Sequence, residues 1–280
     1  LAYFLFVPPT RKLTDHRALV TGASSGIGRE MARQLAALGS DLVIAARRTD
    51  RLEELAAELR EAHAVTVEPV ASDLAEADAA GRLWDAARAG GRVDICINNA
   101  GFGLFDPFTA LSRDRNLEMI AVNVRSVVDL SHRFVDHALG SDRRGYLLNI
   151  GSTAAFQPVP NMATYGATKH FVLAFSEALA HELKKTNVSV TCLNPGGTWT
   201  EFFDVSQQKI EGALAKASML GPDRVAAIGL KAMLKGRRSV VSGGLNKLAA
   251  WMTRFAPRST ATAVAGSMIG TPPAKRGNGE

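Results

Sequence analysis

Seven short apolar runs, at about 17–21, 41–46, 65–70, 93–98, 146–151, 188–194 and 238–242, alternate along the chain with stretches of helical periodicity. The helices fall at about 26–39, 49–62, 75–89, 112–138, 163–186 and 222–235. Few folds satisfy that alternation. Strands that are apolar throughout need cover on both faces, and intervening helices make them parallel through right-handed crossovers. The fold class is therefore α/β, a doubly wound parallel sheet. A chain of 280 residues, 46% hydrophobic, is long enough to bury one large core, and no repeat or low-complexity block divides it.

The first strand and helix enclose a glycine-rich turn, Thr21-Gly22-Ala23-Ser24-Ser25-Gly26-Ile27-Gly28. Apolar residues then recur at 27, 31, 35 and 38, one face of a helix. Strand, glycine turn and helix together aim backbone N–H groups and the positive helix end at an anion such as a dinucleotide pyrophosphate. The spacing Gly22, Gly26, Gly28 departs from the common G-x-G-x-x-G. Glycines alone would read equally well as a plain connection; the flanking strand and helix favour nucleotide binding.

A second constellation lies in the chain's middle. Tyr165 and Lys169 are four residues apart, and Ser152 precedes the tyrosine by thirteen. On a helix, i and i+4 share a face. A free phenol, with a pKa near ~10, is a poor acid or base at neutral pH. A lysine ammonium one turn away is expected to draw it down toward the useful range. Ser152 can hold a carbonyl oxygen beside the phenol. Such a tyrosine–lysine pair is common on helices and means little alone.

Together the motifs resemble a family. The turn at Thr21–Gly28, Asn98-Asn99-Ala100-Gly101, Asn123, Ser152, Tyr165, Lys169 and Pro195-Gly196 follow the order and spacing of short-chain dehydrogenases/reductases, over about residues 17–242. The hydroxysteroid and β-ketoacyl reductase branch is the most similar, through Gly28-Arg29-Glu30-Met31-Ala32 and Ala45-Ala46-Arg47-Arg48. The resemblance implies a Rossmann-like sheet in strand order 3-2-1-4-5-6-7 and an NAD(P)-dependent oxidoreductase. It implies hydride transfer between nicotinamide and a carbonyl or carbinol carbon, with Ser152, Tyr165 and Lys169 catalytic. Asn123 resembles the helix-interrupting asparagine that holds a proton-relay water; its apolar neighbours imply an inward side chain that needs a partner. The cofactor positions carry over to Gly22, Ser24, Ser25, Gly26, Ile27, Gly28, Arg47, Arg48, Asp73, Leu74, Asn99, Ala100, Gly101, Tyr165, Lys169, Pro195, Gly196, Thr198 and Thr200. Asp73 could instead cap the helix starting near Ala75, and both readings can hold.

Ala46 stands where NAD-preferring members carry a ribose-binding acid, and Arg47 and Arg48 follow it. A guanidinium suits a 2′-phosphate in charge and geometry, so NADP(H) is expected over NAD(H), with Arg47 on the phosphate. Arg48 reads equally as a solvated loop arginine. Residues expected to flank the nicotinamide are Phe102, Phe156, Pro158, Val159, Met162, Trp199, Phe202 and Phe203. Most are apolar, which favours a small lipophilic ketone or alcohol. The aromatics at 199–203 belong to the stretch 197–220, the substrate loop by resemblance. A nucleotide sensor or scaffold without turnover is the alternative, and a missing tyrosine or lysine would favour it; both are present.

The formal net charge of +6 and pI near 9.5 raise nucleic acid as a partner. Arg and Lys are interspersed with acids, as in residues 47–54, and no nucleic-acid motif appears, so none is expected. Cys96 and Cys192, isolated in apolar runs, imply buried thiols in a reducing, cytoplasmic compartment. The histidines have no metal-ligand spacing, so no metal is expected.

The anticipated layout is an apolar N-terminal extension 1–16, a catalytic domain 17–242, a helical extension 243–269 and a mobile tail 270–280. Leu1–Val7 is far shorter than the ~20 residues that span a bilayer and lacks a basic flank. The chain opens on leucine, as a processed or a cloned fragment would. Leu245, Leu248, Met252 and Phe255 form a helical stripe, expected to meet the core or a subunit, alternatively to rest peripherally on lipid. The resemblance implies a homodimer or homotetramer assembled through the helices near 112–138 and 163–186.

Overall fold

The structure, a computed structural model, describes residues 13–202 and 218–269. The expectations for Leu1–Val7, Phe203 and the 270–280 tail lie outside the described residues. Seven strands, β1 (Arg17–Thr21), β2 (Asp41–Ala46), β3 (Val67–Ala71), β4 (Ile95–Asn98), β5 (Gly145–Ile150), β6 (Val188–Asn194) and β7 (Ser239–Val241), form one sheet in the order 3-2-1-4-5-6-7. Every pairing is parallel. That is the topology the alternation and the resemblance called for.

Side chains leave each strand on alternate faces. Ala18, Val20, Leu42, Ile44, Ile95 and Ile97 enter a core beneath α1 (Gly26–Ala37), α2 (Thr49–His63) and α7 (Pro222–Leu234). Leu19, Val43, Ala45, Cys96 and Leu147 enter the opposite core, beneath α3 (Ala79–Ala89), α5 (Ser126–Leu139) and α6 (Ala163–Glu182). Both faces are dry, so the strands are mostly apolar, and the polar residues they do carry, such as Asn149 and Thr191, are buried with hydrogen-bond partners. Ile44 is fully buried, and truncating it to alanine should cost about 2–5 kcal/mol.

Two helices depart from the periodicity. The one expected from residue 75 begins at Ala79, because Asp78 takes the left-handed conformation (φ 55°) and an L-residue there cannot continue an α-helix. The stretch 112–138 is α4 (Arg113–Ile120), a π-helical turn Ala121–Arg125 and α5. The π turn holds Asn123, where the resemblance implied an interruption. Beyond β7 run two further helices, α8 (Gly244–Met252) and α9 (Arg258–Ile269).

Candidate active site

The carboxyl ends of β1, β2, β4, β5 and β6 open into one cleft of about 600 Å³. Gly22 bends the chain out of β1 with φ 66°, and a Cβ there would meet the Ala100 Cα at 2.8 Å. The β1 and β4 loops thus pass closer than any side chain allows. Thr21 binds them: its Oγ1 accepts from Asn99 N and Ala100 N, both at 3.0 Å. Asn99 Nδ2 donates in return to the Thr21 and Gly22 carbonyls. Thr21 belongs to the glycine-turn motif, but its role as this joint follows only from its contacts.

Of the residues carried over for the cofactor, Gly22, Ser24, Ser25, Gly26, Ile27, Arg47, Arg48, Asp73, Leu74, Asn99, Ala100, Gly101, Pro195, Gly196, Thr198 and Thr200 line the cleft, together with Ser152, Tyr165 and Lys169. Gly28 does not line it. Its absent Cβ instead lets α1 pack on the Gly22 carbonyl, which a Cβ would meet at 2.4 Å. Asp73 accepts from Ala75 N at 3.0 Å, closing a turn ahead of α3 rather than capping the helix itself. Thr200 lies over Gly26.

At the β2 end the two arginines differ. Arg48 donates to Ser24 Oγ at 3.1 Å and to Ser25 Oγ at 3.0 Å, and pairs with Glu201 at 2.8 Å. Arg51 pairs with the other oxygen of the same carboxylate. Arg47 is 62% exposed and lies 3.5 Å from Glu118. The arginine nearer the glycine turn is therefore the second, not Arg47, which the sequence places on the phosphate. Glu201 was not anticipated at all.

The β5 end carries the acid–base chemistry. Tyr165 and Lys169 are both buried on α6. Lys169 Nζ donates to the Ile150 carbonyl at 2.8 Å and stands 5.8 Å from the tyrosine ring centroid. Burial holds its pKa down to about 8. Burial pushes the Tyr165 phenol up to about 12, with a hydrogen bond to Ser152 drawing it partly back. This corrects the sequence expectation that Lys169 lowers the phenol: its ammonium is turned to a backbone carbonyl, and desolvation outweighs the rest. Ser152 Oγ accepts from Ala154 N at 3.1 Å, which fixes the hydroxyl beside the phenol.

Asn123 does not line the cleft but braces it. Its Oδ1 accepts from Phe102 N at 3.1 Å, and its Nδ2 donates to Phe102 O at 2.9 Å and Thr168 Oγ1 at 3.1 Å. The β4 loop is thereby fixed to α6 one residue before the lysine.

Apolar residues surround the β5 end. Phe102, Val159, Met162 and Phe202 line the cleft there, with the Phe202 ring 5.4 Å from that of Tyr165. Ile269, at the end of α9, joins them, and nothing in the sequence pattern pointed to it. Phe156 instead packs beneath α6, and Trp199 faces outward, 55% exposed. Pro158 does not line the cleft. Among the described residues no group of three His, Cys, Asp or Glu could hold a metal ion.

The family model for short chain dehydrogenases matches residues 16–211. The chain belongs to the short-chain dehydrogenase/reductase family. It is an NAD(P)-dependent oxidoreductase of that family. It is 33% identical over 237 residues to human dehydrogenase/reductase SDR family member 11, covering 78% of this chain and 88% of that one. A short-chain dehydrogenase from Sphingobium yanoikuyae, solved with NADPH, superimposes with a TM-score of 0.78 at 30% identity, over 88% of this chain and 94% of that one. A Burkholderia phymatum member solved with NAD gives 0.77 at 26% identity, over 86% and 93%. Family neighbours thus hold either dinucleotide.

Proposed function

We propose that this reductase reduces a lipophilic ketone, or oxidises the matching secondary alcohol, with NADP(H) preferred over NAD(H). The observation that carries the reading is one cleft with Ser152, Tyr165 and Lys169 at the β5 end and paired arginines at the β2 end. Strands β1 and β4 separate those ends, so they stand about three strand spacings, ~14 Å, apart. The cradle fits a dinucleotide: the Gly22 approach leaves room for nothing larger than glycine, and Ser24, Ser25 and Arg48 gather donors at one end.

The bound dinucleotide supplies or accepts hydride at the nicotinamide. Ser152, its Oγ already accepting from Ala154 N, turns its proton to the substrate oxygen. Tyr165 donates the proton that completes the alcohol, and burial keeps the phenol protonated for that step. Lys169, anchored on the Ile150 carbonyl, holds a positive charge beside the phenol and donors toward the nicotinamide ribose. Asn123 keeps the β4 loop and α6 in register around them. Phe102, Val159, Met162, Phe202 and Ile269 offer an apolar surface and no charge, which favours a lipophilic substrate over an ionised metabolite.

A screen of ketones and secondary alcohols followed through NADPH absorbance tests this reading. Turnover of an apolar ketone is expected. Tight NADPH binding with silence toward every substrate would return the sensor reading. Assembly as a homodimer or homotetramer through α5 and α6 is part of the proposal, since Phe171, stacked on Phe175 at 5.8 Å, remains 41% exposed on α6. A monomer mass by light scattering would contradict it. The two cysteines are free and buried, which fits a reducing, cytoplasmic setting.

A further inference from the structure

We propose that α8 and the turn after it dock on an anionic lipid bilayer. Leu245, Leu248, Trp251, Met252 and Phe255 recur at helical spacing and are each between 50% and 66% exposed. The orientation of the helix is fixed by its other side. Asn246 Nδ2 donates to the Ser218 carbonyl at 3.0 Å and the Ser242 carbonyl at 2.9 Å, and Ala250 is buried. The stripe therefore faces away from the protein. Trp251 and Phe255 meet edge to face at 4.7 Å, a paired aromatic surface of the kind that settles at headgroup depth.

Charge selects the occupant. Residues 224–279 hold ten Lys or Arg and no Asp or Glu, so the positive excess of the whole chain, +6, lies in this segment. Lys247 and Arg254 flank the stripe and Arg258 follows it, and none pairs with an acid among the described residues. A second copy of this helix would bring like charges together without a carboxylate to answer them. An anionic leaflet supplies the counter-charge, and each basic residue near its surface adds attraction. The nine-residue helix lies in the interface rather than across it, and no described helix is long and apolar enough to cross a membrane.

The inward side of the helix that carries the stripe adjoins the cleft wall. The Asn246 side chain packs on Gly196, where a Cβ would come within 2.2 Å of it, and Gly196 lines the cleft. Docking on lipid would thus leave one helix between the cleft wall and the phase in which an apolar ketone dissolves. This last step rests on the lipophilic-substrate reading; the docking does not.

Co-sedimentation separates the two. Wild-type protein should pellet with vesicles of phosphatidylglycerol and phosphatidylcholine at low salt, and at least about tenfold less with phosphatidylcholine alone. The double variant Leu248→Glu/Trp251→Glu should lose vesicle binding by about tenfold or more while its melting temperature and turnover of a water-soluble ketone stay unchanged, because both residues are exposed. Lys247→Glu/Arg254→Glu should weaken binding and flatten its salt dependence. Wild-type protein that stays in the supernatant at low salt overturns the proposal, as does a stripe variant that binds like wild type. A wild-type mass by light scattering that falls in the stripe variant, without vesicle binding, assigns the face to a second copy and also overturns it. Absence of ketone turnover alongside intact vesicle binding would sink the proposed reaction and leave the docking standing.

Discussion

Glu201 and Arg48 meet at 2.8 Å, and the pair joins the segment after β6 to the serines of the glycine turn. On the proposed NADP preference, a carboxylate holds the guanidinium that would receive the adenosine 2′-phosphate. Arg48→Ala should weaken NADPH binding by about one to two decades and leave NADH nearly unchanged, the loss of charge-assisted hydrogen bonds worth ~1.5–3 kcal/mol. Glu201→Gln should do the reverse, tightening NADPH relative to NADH because a competitor for Arg48 is removed. Titrating both dinucleotides into the three proteins checks this. Equal affinities in wild type would remove the NADP preference.

Lys169 is the clearest case of stability given up at this site. Burial lowers its pKa from 10.5 to about 8, so the unfolded chain binds more protons between those values and stability rises with pH across that window. Below pH 8 the charged, buried lysine weakens the fold, by up to roughly 3 kcal/mol at 1.36 kcal/mol per pH unit. Lys169→Met should therefore melt higher than wild type at pH 7, less the lost bond to the Ile150 carbonyl. The advantage should shrink as pH rises above 8. A variant that is less stable at pH 7, or a gap that widens with pH, would show that the charge is better solvated than its burial implies.

The β/α alternation already contained the fold, because a parallel sheet dry on both faces holds its strands to mostly apolar residues. Tyr165, Lys169 and Ser152 were legible because their spacing matches a family. What the pattern could not carry was direction. The sequence favours Arg47 for the phosphate by its place next to Ala46, but the turn into α2 brings Arg48 to Ser24 and Ser25. Trp199 reads as a pocket aromatic but faces out, whereas Ile269, more than sixty residues further on, comes back to the cleft through α9. The phenol's upward pKa was equally invisible, since burial and the Ile150 carbonyl are three-dimensional facts. The basic bias of residues 224–279 was present as plain composition, hidden by averaging charge over the whole chain.

Asn123 tests whether the π turn is built around its side chain. Its amide makes three hydrogen bonds while 1% exposed, so Asn123→Ala leaves Phe102 N, Phe102 O and Thr168 without those partners. A loss of about 2–4 kcal/mol in urea unfolding is expected, at ~1–3 kcal/mol for each buried group left unsatisfied and partial relaxation. NADPH turnover should fall with it. A change under about 0.5 kcal/mol, the range of an ordinary surface substitution, would mean that the turn is held by the backbone alone.

The proposed reduction turns on the Tyr165 hydroxyl as proton donor. Steady-state reduction of a ketone accepted by wild type, compared with Tyr165→Phe at saturating NADPH, measures it most directly. Turnover should drop ~100-fold or more, the usual contribution of a general acid, while NADPH affinity stays within a few-fold because most cleft contacts lie elsewhere. A phenylalanine variant that keeps more than about a tenth of wild-type turnover with NADPH still bound would contradict the assignment of Tyr165 as the acid.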